Sequence, residues 1–118
     1  MPKILVVDDC TEVLEVLNDF LSLRGYEVIL ARNGKIGLEK YRNERPELAI
    51  IDVEMPVMDG YQLSKEIKND NPQFPILIIT AMIKKYPKSY FSDVGVNNVL
   101  FKPISFDTLN AELDKIFT

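Results

Sequence analysis

Short apolar runs, several of them rich in β-branched residues, recur five times along the chain, and each ends at a polar residue or a turn. Runs of this length are typical of strands that are buried on both faces of a parallel sheet. They predict strands over residues 3–7, 26–31, 48–52, 75–79 and 99–101. Glu27 lies within the second run, so that strand is predicted to be exposed at an edge of the sheet.

Between these runs the apolar residues recur every three or four positions, which is the spacing of one helical face. This spacing predicts helices over residues 11–24, 34–43 and 61–69, from near Pro87 to Gly95, and after Ser105. Asn33 and Ser105 are predicted N-caps, and Gly25 is a predicted C-terminal cap. The fourth helix should be short, roughly two turns, because proline is tolerated only in a first helical turn.

The predicted order is a strand followed by a helix, repeated five times without a linker or an internal repeat. Strands that alternate with helices favour a parallel sheet covered on both faces, with right-handed crossovers. We therefore predict a single α/β domain over residues 1–118, a flavodoxin-like (βα)5 three-layer sandwich. Its five-stranded parallel sheet should have the strand order 2-1-3-4-5.

Composition excludes several classes of function. The 118 residues contain no histidine, which excludes Ser–His or Cys–His nucleophile pairs and histidine metal ligands. The net charge of −4 disfavours direct binding to nucleic acid. A lone cysteine, Cys10, fits a reducing compartment. Only four apolar residues lie between Lys3 and Asp8, too few for a signal peptide or a membrane span. We expect a cytoplasmic protein.

Polar side chains occur where four of the predicted strands end. The first strand is followed by Asp8 and Asp9, the third ends at Asp52, the fourth at Thr80 and the fifth at Lys102. Because the ligand crevice of such sheets lies beyond the carboxyl ends of the strands, these groups should meet there. Three ionised carboxylates need a cation, and an all-oxygen set of few ligands suits Mg²⁺. A carboxylate is ionised near neutral pH and can attack phosphorus without a general base, so the residues predict a phosphoryl acceptor.

These motifs, in this order, resemble the receiver domain of two-component response regulators over essentially the whole chain. The matching features are the acidic pair Asp8-Asp9, Asp52 within Asp-x-x-Met-Pro-x-Met-Asp-Gly, Thr80-Ala81 and Lys102-Pro103. The resemblance implies that Asp52 is the phosphoacceptor. It also implies that Asp9 and Asp52 bind Mg²⁺ directly, Asp8 largely through water, and Glu54 through its backbone carbonyl.

The resemblance further implies that Thr80 is the switch hydroxyl and that Lys102, before a cis peptide to Pro103, pairs with the phosphoryl group. The donor would be a phosphohistidine on a sensor histidine kinase or a histidine phosphotransfer protein. The downstream target or output domain is unknown, and no enzyme activity is expected beyond self-phosphorylation on Asp52 and autodephosphorylation.

The chain departs from the family on the fifth strand, where an aromatic residue or histidine is usual and Val99 stands instead. Phe101 is expected to point to the opposite face. The surface formed by the fourth helix, the fifth strand and the fifth helix should therefore report phosphorylation in an altered way. In the family, the residues two positions after the phosphoacceptor and two after the threonine line the path of water. Here they are Glu54 and Met82, and Met82 is expected to shield the acyl phosphate partly.

Taken singly, each motif has an ordinary structural explanation. Asp8 and Asp9 could simply begin a helix, Asp52 could end a strand, Thr80 could be structural and Lys102 a solvated surface lysine. Two other functions also remain open: a phosphorylation-independent interaction module of the same fold, which Val99 favours, and a small flavin- or nucleotide-binding protein. The second of these would need a phosphate-binding loop after the first strand, where the acidic pair has the wrong charge.

Overall fold

The structure is a computed structural model that describes residues 1–81 and 88–117. Its sheet contains five parallel strands in the order β2-β1-β3-β4-β5, which confirms the predicted topology. The strands are β1 (Lys3–Val7), β2 (Glu27–Ala31), β3 (Leu48–Asp52), β4 (Ile76–Thr80) and β5 (Asn98–Phe101). Glu27 is exposed on the edge strand β2, as its charge predicts.

Four α-helices cover the sheet: α1 (Thr11–Leu23), α2 (Gly34–Glu44), α3 (Gly60–Asp70) and α4 (Phe106–Phe117). The predicted caps are present. Asn33 accepts a hydrogen bond from the Ile36 N–H at 2.8 Å, and the Ser105 hydroxyl accepts one from the Thr108 N–H at 3.2 Å. Gly25, with φ +88°, donates its N–H to the Ser22 carbonyl, which closes the end of α1.

The fourth predicted helix differs from the structure. Its expected start near Pro87 lies outside the described residues. From Lys88 to Phe91 the chain forms one 3₁₀ turn, and a further turn follows up to Gly95, which has a φ of +81°. The hydroxyl of Ser92 donates to the Ser89 carbonyl at 2.9 Å, so a side chain bonds to the backbone within the turn. Serine hydroxyls that bond to the nearby backbone disfavour a continuing α-helix.

Two apolar clusters lie on the two faces of the sheet, because successive side chains of a strand point to opposite faces. Leu5 and Val7 of β1 pack beneath α2 and α3, whereas Ile4 and Val6 pack beneath α1 and α4. The β3 and β4 strands are buried along their whole length. Within the described part of the chain, no helix is both long enough and apolar enough to cross a membrane.

The structure corrects the prediction made for Phe101. Val99 and Phe101 both pack against the cluster beneath α2 and α3, whereas Leu100, between them, packs against the other cluster. Residues two positions apart on a strand share a face, so the expectation that Phe101 points away from Val99 was wrong. Val99 is buried and Phe101 is partly exposed on the same side of the sheet.

Candidate functional site

The polar residues at the strand ends meet at one edge of the sheet, because β1, β3, β4 and β5 are consecutive neighbours and parallel. One carboxylate oxygen from each of Asp8, Asp9 and Asp52 lies within 4.8 Å of the other two. Asp8 and Asp52 are buried, whereas Asp9 is exposed. The spatial convergence predicted from the sequence is therefore present in the fold.

Lys102 balances part of the negative charge of this cluster. Its Nζ lies 3.1 Å from Asp8 Oδ2 and 3.4 Å from Asp52 Oδ1, and it follows the end of β5 directly. The Lys102 N–H donates to the Thr80 carbonyl at 2.9 Å, which holds the start of this loop against the end of β4. The peptide bond between Lys102 and Pro103 is cis, as the family resemblance implies.

The protonation of Asp52 is perturbed by its surroundings. Burial and the negative charge of Asp8 raise the pKa of Asp52 from 3.8 to about 6, although Lys102 acts in the opposite direction. Burial lowers the pKa of Lys102, but its hydrogen bond to Asp8 and the charges of Asp52 and Asp8 outweigh burial and raise it. At neutral pH Asp52 is therefore mostly ionised beside the protonated ammonium group of Lys102.

Local backbone geometry places Asp8 with an oxygen facing the cluster. The Asp8 N–H donates to the Ala31 carbonyl at 3.1 Å, and Asp8 Oδ1 accepts from the Cys10 N–H at 2.9 Å. Asp8 Oδ2 is buried, and its contact among the described residues is the ion pair with the Lys102 ammonium group. A buried carboxylate oxygen left in this way, beside two further carboxylates, fits a hard divalent cation.

The loop between β3 and α3 borders this cluster. An open crevice of about 350 Å³ is lined by Asp9, Val53, Glu54, Met55, Pro56 and Asp59. Asp59 caps α3 by accepting a hydrogen bond from the Gln62 N–H at 2.9 Å. A Cβ at Gly60 would collide with the Asp52 carbonyl oxygen, so this position requires glycine.

Thr80 and Glu54 lie where the sequence predicts them. Thr80 is the last residue of β4 and is buried at the same edge of the sheet as Asp52, and Glu54 lines the crevice with an exposed side chain. The proposed shield, Met82, lies outside the described residues. Cys10 is exposed at the start of α1 and makes no capping hydrogen bond through its side chain.

The same loop contains a strained residue that the sequence does not reveal. Val57 has a φ of +73° and is 78% exposed, and the Met58 N–H donates to the Pro56 carbonyl at 2.8 Å across it. This is a γ-turn around a β-branched residue with positive φ, a conformation that such residues rarely adopt. No turn signal beyond Pro56 precedes it in the sequence, so hydrophobic periodicity could not identify it.

Replacing Val57 by asparagine is expected to raise the free energy of unfolding by about 1 kcal/mol, because asparagine tolerates positive φ. The matched control is Val16→Asn, since Val16 is a half-exposed valine in the right-handed conformation of α1. Urea denaturation of the two variants and the unaltered protein measures the effect. A gain no larger at Val57 than at Val16 would show that the loop stores no strain.

The fold and the site together define a class of protein. The family model described as the response regulator receiver domain matches residues 4–114, and the chain belongs to this family. It is 35% identical over 114 residues to the alkaline phosphatase synthesis transcriptional regulatory protein PhoP of Bacillus subtilis (strain 168). That match covers 97% of this chain and 48% of PhoP.

Two further similarities agree with this assignment. The chain is 40% identical over 112 residues to the transcriptional regulatory protein ZraR of Escherichia coli (strain K12), a match that covers 95% of the chain and 25% of ZraR. The solved structure of the Vibrio cholerae chemotaxis protein CheY4 superposes with a TM-score of 0.90 at 32% identity, and covers 99% of each chain. The chain therefore spans about half, or less, of the two curated relatives, but matches a receiver structure from end to end.

Proposed function

We propose that the chain is a phosphorylation-dependent signalling switch that accepts a phosphoryl group on Asp52. The observation that carries this proposal is the placement of Asp52 between two carboxylates and the Lys102 ammonium, at the carboxyl edge of the sheet. Membership of the receiver family supports it. The donor would be a phosphohistidine on a sensor histidine kinase or a histidine phosphotransfer protein.

The acidic cluster would hold the Mg²⁺ ion that the family generally binds. Asp9 and Asp52 would bind it directly, Asp8 largely through water, and Glu54 through its backbone carbonyl. The bound cation would neutralise charge on the phosphoryl oxygens. The approach of the three carboxylate oxygens to within 4.8 Å of one another supports this donor set.

The transfer would proceed by attack of an Asp52 carboxylate oxygen on phosphorus. A P–O bond forms at Asp52 while the P–N bond of the donor breaks, and its electron pair leaves with the imidazole nitrogen. Lys102 would pair with a phosphoryl oxygen, and the Thr80 hydroxyl would donate a hydrogen bond to another after moving towards it. Hydrolysis by water would reset the site, so the protein would modify itself and turn over no other substrate.

The acceptor would act within a longer relay, in the cytoplasm. Phosphorylation would shift a pre-existing conformational equilibrium, as a ligand does. A downstream protein target or an output domain would then distinguish the modified from the unmodified state. Two relatives are named as transcriptional regulators, but these 118 residues carry a net charge of −4. Direct binding of nucleic acid by this chain is therefore not part of the proposal.

Incubation with Mg²⁺ and a small acyl phosphate, followed by intact-mass measurement, tests the proposal. We expect a gain of one phosphoryl group that disappears with EDTA and with Asp52→Asn, while Asp19→Asn, at an exposed carboxylate of α1, retains it. If no adduct forms at any Mg²⁺ concentration, the proposal fails. The phosphorylation-independent interaction module would then be the better interpretation of the same fold.

A further inference from the structure

A tyrosine–aspartate hydrogen bond holds α3 at each of its two ends. At the end remote from the acidic cluster, the Tyr41 hydroxyl of α2 donates to Asp70 Oδ2 at 3.0 Å. At the end next to the cluster, the Tyr61 hydroxyl donates to Asp93 Oδ2 at 2.6 Å. The chemistry of the two contacts is the same, but only the second involves the first turn of α3.

The backbone at the phosphoacceptor position determines where this first turn lies. Tyr61 follows Gly60, whose N–H donates to the Val53 carbonyl at 2.8 Å and whose Cα faces the Asp52 carbonyl too closely to admit a Cβ. Asp59 then caps the helix. A rearrangement of the loop after Asp52 must therefore shift the first turn of α3, and Tyr61 with it.

The partner of Tyr61 belongs to the segment 88–95, which consists of one 3₁₀ turn and the turn that follows it up to Gly95. Such a short 3₁₀ element has little stability of its own, so tertiary contacts decide its position. Phe91 anchors the segment, because its side chain is fully buried. The Tyr61 ring adds contacts with Tyr90 and Phe91, at centroid distances of 5.2 and 6.2 Å.

We propose that Tyr61 is the contact through which the loop after Asp52 controls the packing of the segment 88–95 against α3. As a description of signalling, this inference rests on the proposed function, in which phosphorylation of Asp52 is the input. The hydrogen bond of Tyr61 to a carboxylate is of the charge-assisted kind, about twice as strong as a neutral one. A displacement of about 1 Å in the first turn of α3 would lengthen it beyond hydrogen-bonding range.

The Tyr61 hydroxyl remains a donor at the pH at which the switch would operate. Its hydrogen bond to Asp93 raises the pKa of the phenol above its ordinary value of 10.0. The distance between Tyr61 and Asp93, and not ionisation of the phenol, therefore determines whether this hydrogen bond is made or broken. When the contact is broken, other contacts still hold the segment 88–95, among them the buried side chains of Phe91 and Val94.

Amide hydrogen exchange of the full chain, followed by mass spectrometry, tests this coupling. Asp59→Ala perturbs the loop without phosphorylation, because it removes the cap of α3, and Asn33→Ala removes the equivalent cap of α2. We expect Asp59→Ala to speed exchange in the segment 88–95 by about threefold or more, and Asn33→Ala to leave the segment unchanged. Tyr61→Phe should speed amide exchange in the segment to a similar extent, and Tyr41→Phe should leave this exchange unchanged.

A double-mutant cycle decides whether the effect passes through Tyr61. In the Tyr61→Phe background, Asp59→Ala should add almost nothing to the exchange rate of the segment, because the hydrogen bond to Asp93 is already lost. Independent, additive effects would overturn the proposal, and so would an unchanged segment in Asp59→Ala or an equal response in Asn33→Ala.

The same exchange experiment with Mg²⁺ and an acyl phosphate separates this inference from the proposed function. Both the inference and the proposed function are supported if an adduct on Asp52 speeds amide exchange in the segment of the unaltered protein but gives no further increase in Tyr61→Phe. An adduct without any response of the segment overturns the role of Tyr61 in signalling and leaves the phosphoacceptor intact. Failure to form the adduct counts against the proposed function, and the Asp59→Ala cycle then decides the coupling alone.

Discussion

Removing the charge of Lys102 is expected to destabilise the metal-free protein by about 3 kcal/mol at pH 7.5 in the variant Lys102→Met. Methionine keeps the unbranched apolar side chain, so the change isolates the ammonium group. Asp8, which is fully buried, and Asp52 would then face each other without the cation that now lies 3.1 and 3.4 Å from their oxygens. Removing one member of a buried charge cluster leaves the opposite charges of the other members uncompensated.

The pH dependence of this effect follows from the direction of the pKa shift. The pKa of Lys102 is raised above 10.5 in the fold, so the stabilisation it contributes is fully present at neutral pH and is lost only as the pH rises through that raised value. In the variant, lowering the pH should recover part of the lost stability, because protonation of Asp52 relieves the repulsion. The recovery should begin above pH 6, since the pKa of about 6 in the unaltered protein already includes the lowering effect of Lys102.

Urea denaturation in EDTA between pH 5 and pH 8 measures this prediction. The control is Lys3→Met, since the pair of Lys3 with Glu27 spans 3.7 Å between two partly exposed side chains and should change stability by less than about 0.5 kcal/mol. Mg²⁺ should restore more stability to Lys102→Met than to the unaltered protein, because it replaces the missing positive charge. Equal losses in both lysine variants would contradict the central role given to Lys102.

Replacing Asp52 by asparagine is expected to have the opposite sign and to stabilise the metal-free protein by about 2 to 3 kcal/mol at pH 8. The pKa of Asp52 rises from 3.8 to about 6 on folding, so the folded state binds this proton more tightly than the unfolded state. Stability is therefore lost as the pH rises from about 4 to about 6, where the buried carboxylate ionises. Asparagine does not ionise and avoids this loss.

Denaturation of Asp52→Asn and of the unaltered protein in EDTA, at pH 4 and at pH 8, gives the comparison. The gain should be present at pH 8 and nearly absent at pH 4, where the carboxyl group is already neutral. Asp19→Asn, at an exposed position of α1, should change stability by no more than about 0.5 kcal/mol at either pH. Mg²⁺ should reduce the advantage of Asp52→Asn at pH 8, and a gain that persists unchanged at pH 4 would show that ionisation is not its cause.

Two opposing requirements act on Asp52. A group that must attack phosphorus has to be ionised, yet burial beside Asp8 makes ionisation of Asp52 costly. Lys102 reduces that cost as part of the chain, and a cation bound by the acidic cluster would reduce it further. The site would therefore gain stability from the cofactor that its chemistry requires.

The sequence alone determined the topology and the edge of the sheet at which the polar groups meet. Buried strands that alternate with helices admit few arrangements, and parallel strands bring their carboxyl ends to one side. For this reason the sequence by itself places Asp8, Asp52, Thr80 and Lys102 at a common edge. The caps at Asn33 and Ser105 were equally predictable, because capping depends on local hydrogen bonds.

Tertiary structure alone decided the features that depend on distance or on packing between remote segments. The contact between Tyr61 and Asp93 joins residues 32 positions apart, and no local pattern indicates it. The raised pKa of Asp52 depends on its burial and on Asp8, and the positive φ of Val57 depends on how the loop closes between β3 and α3. Strand alternation places Val99 and Phe101 on the same side of the sheet, but only the fold shows that they pack against the cluster beneath α2 and α3. Local propensities determine which elements form, whereas electrostatics and coupling arise only when packing brings distant groups together.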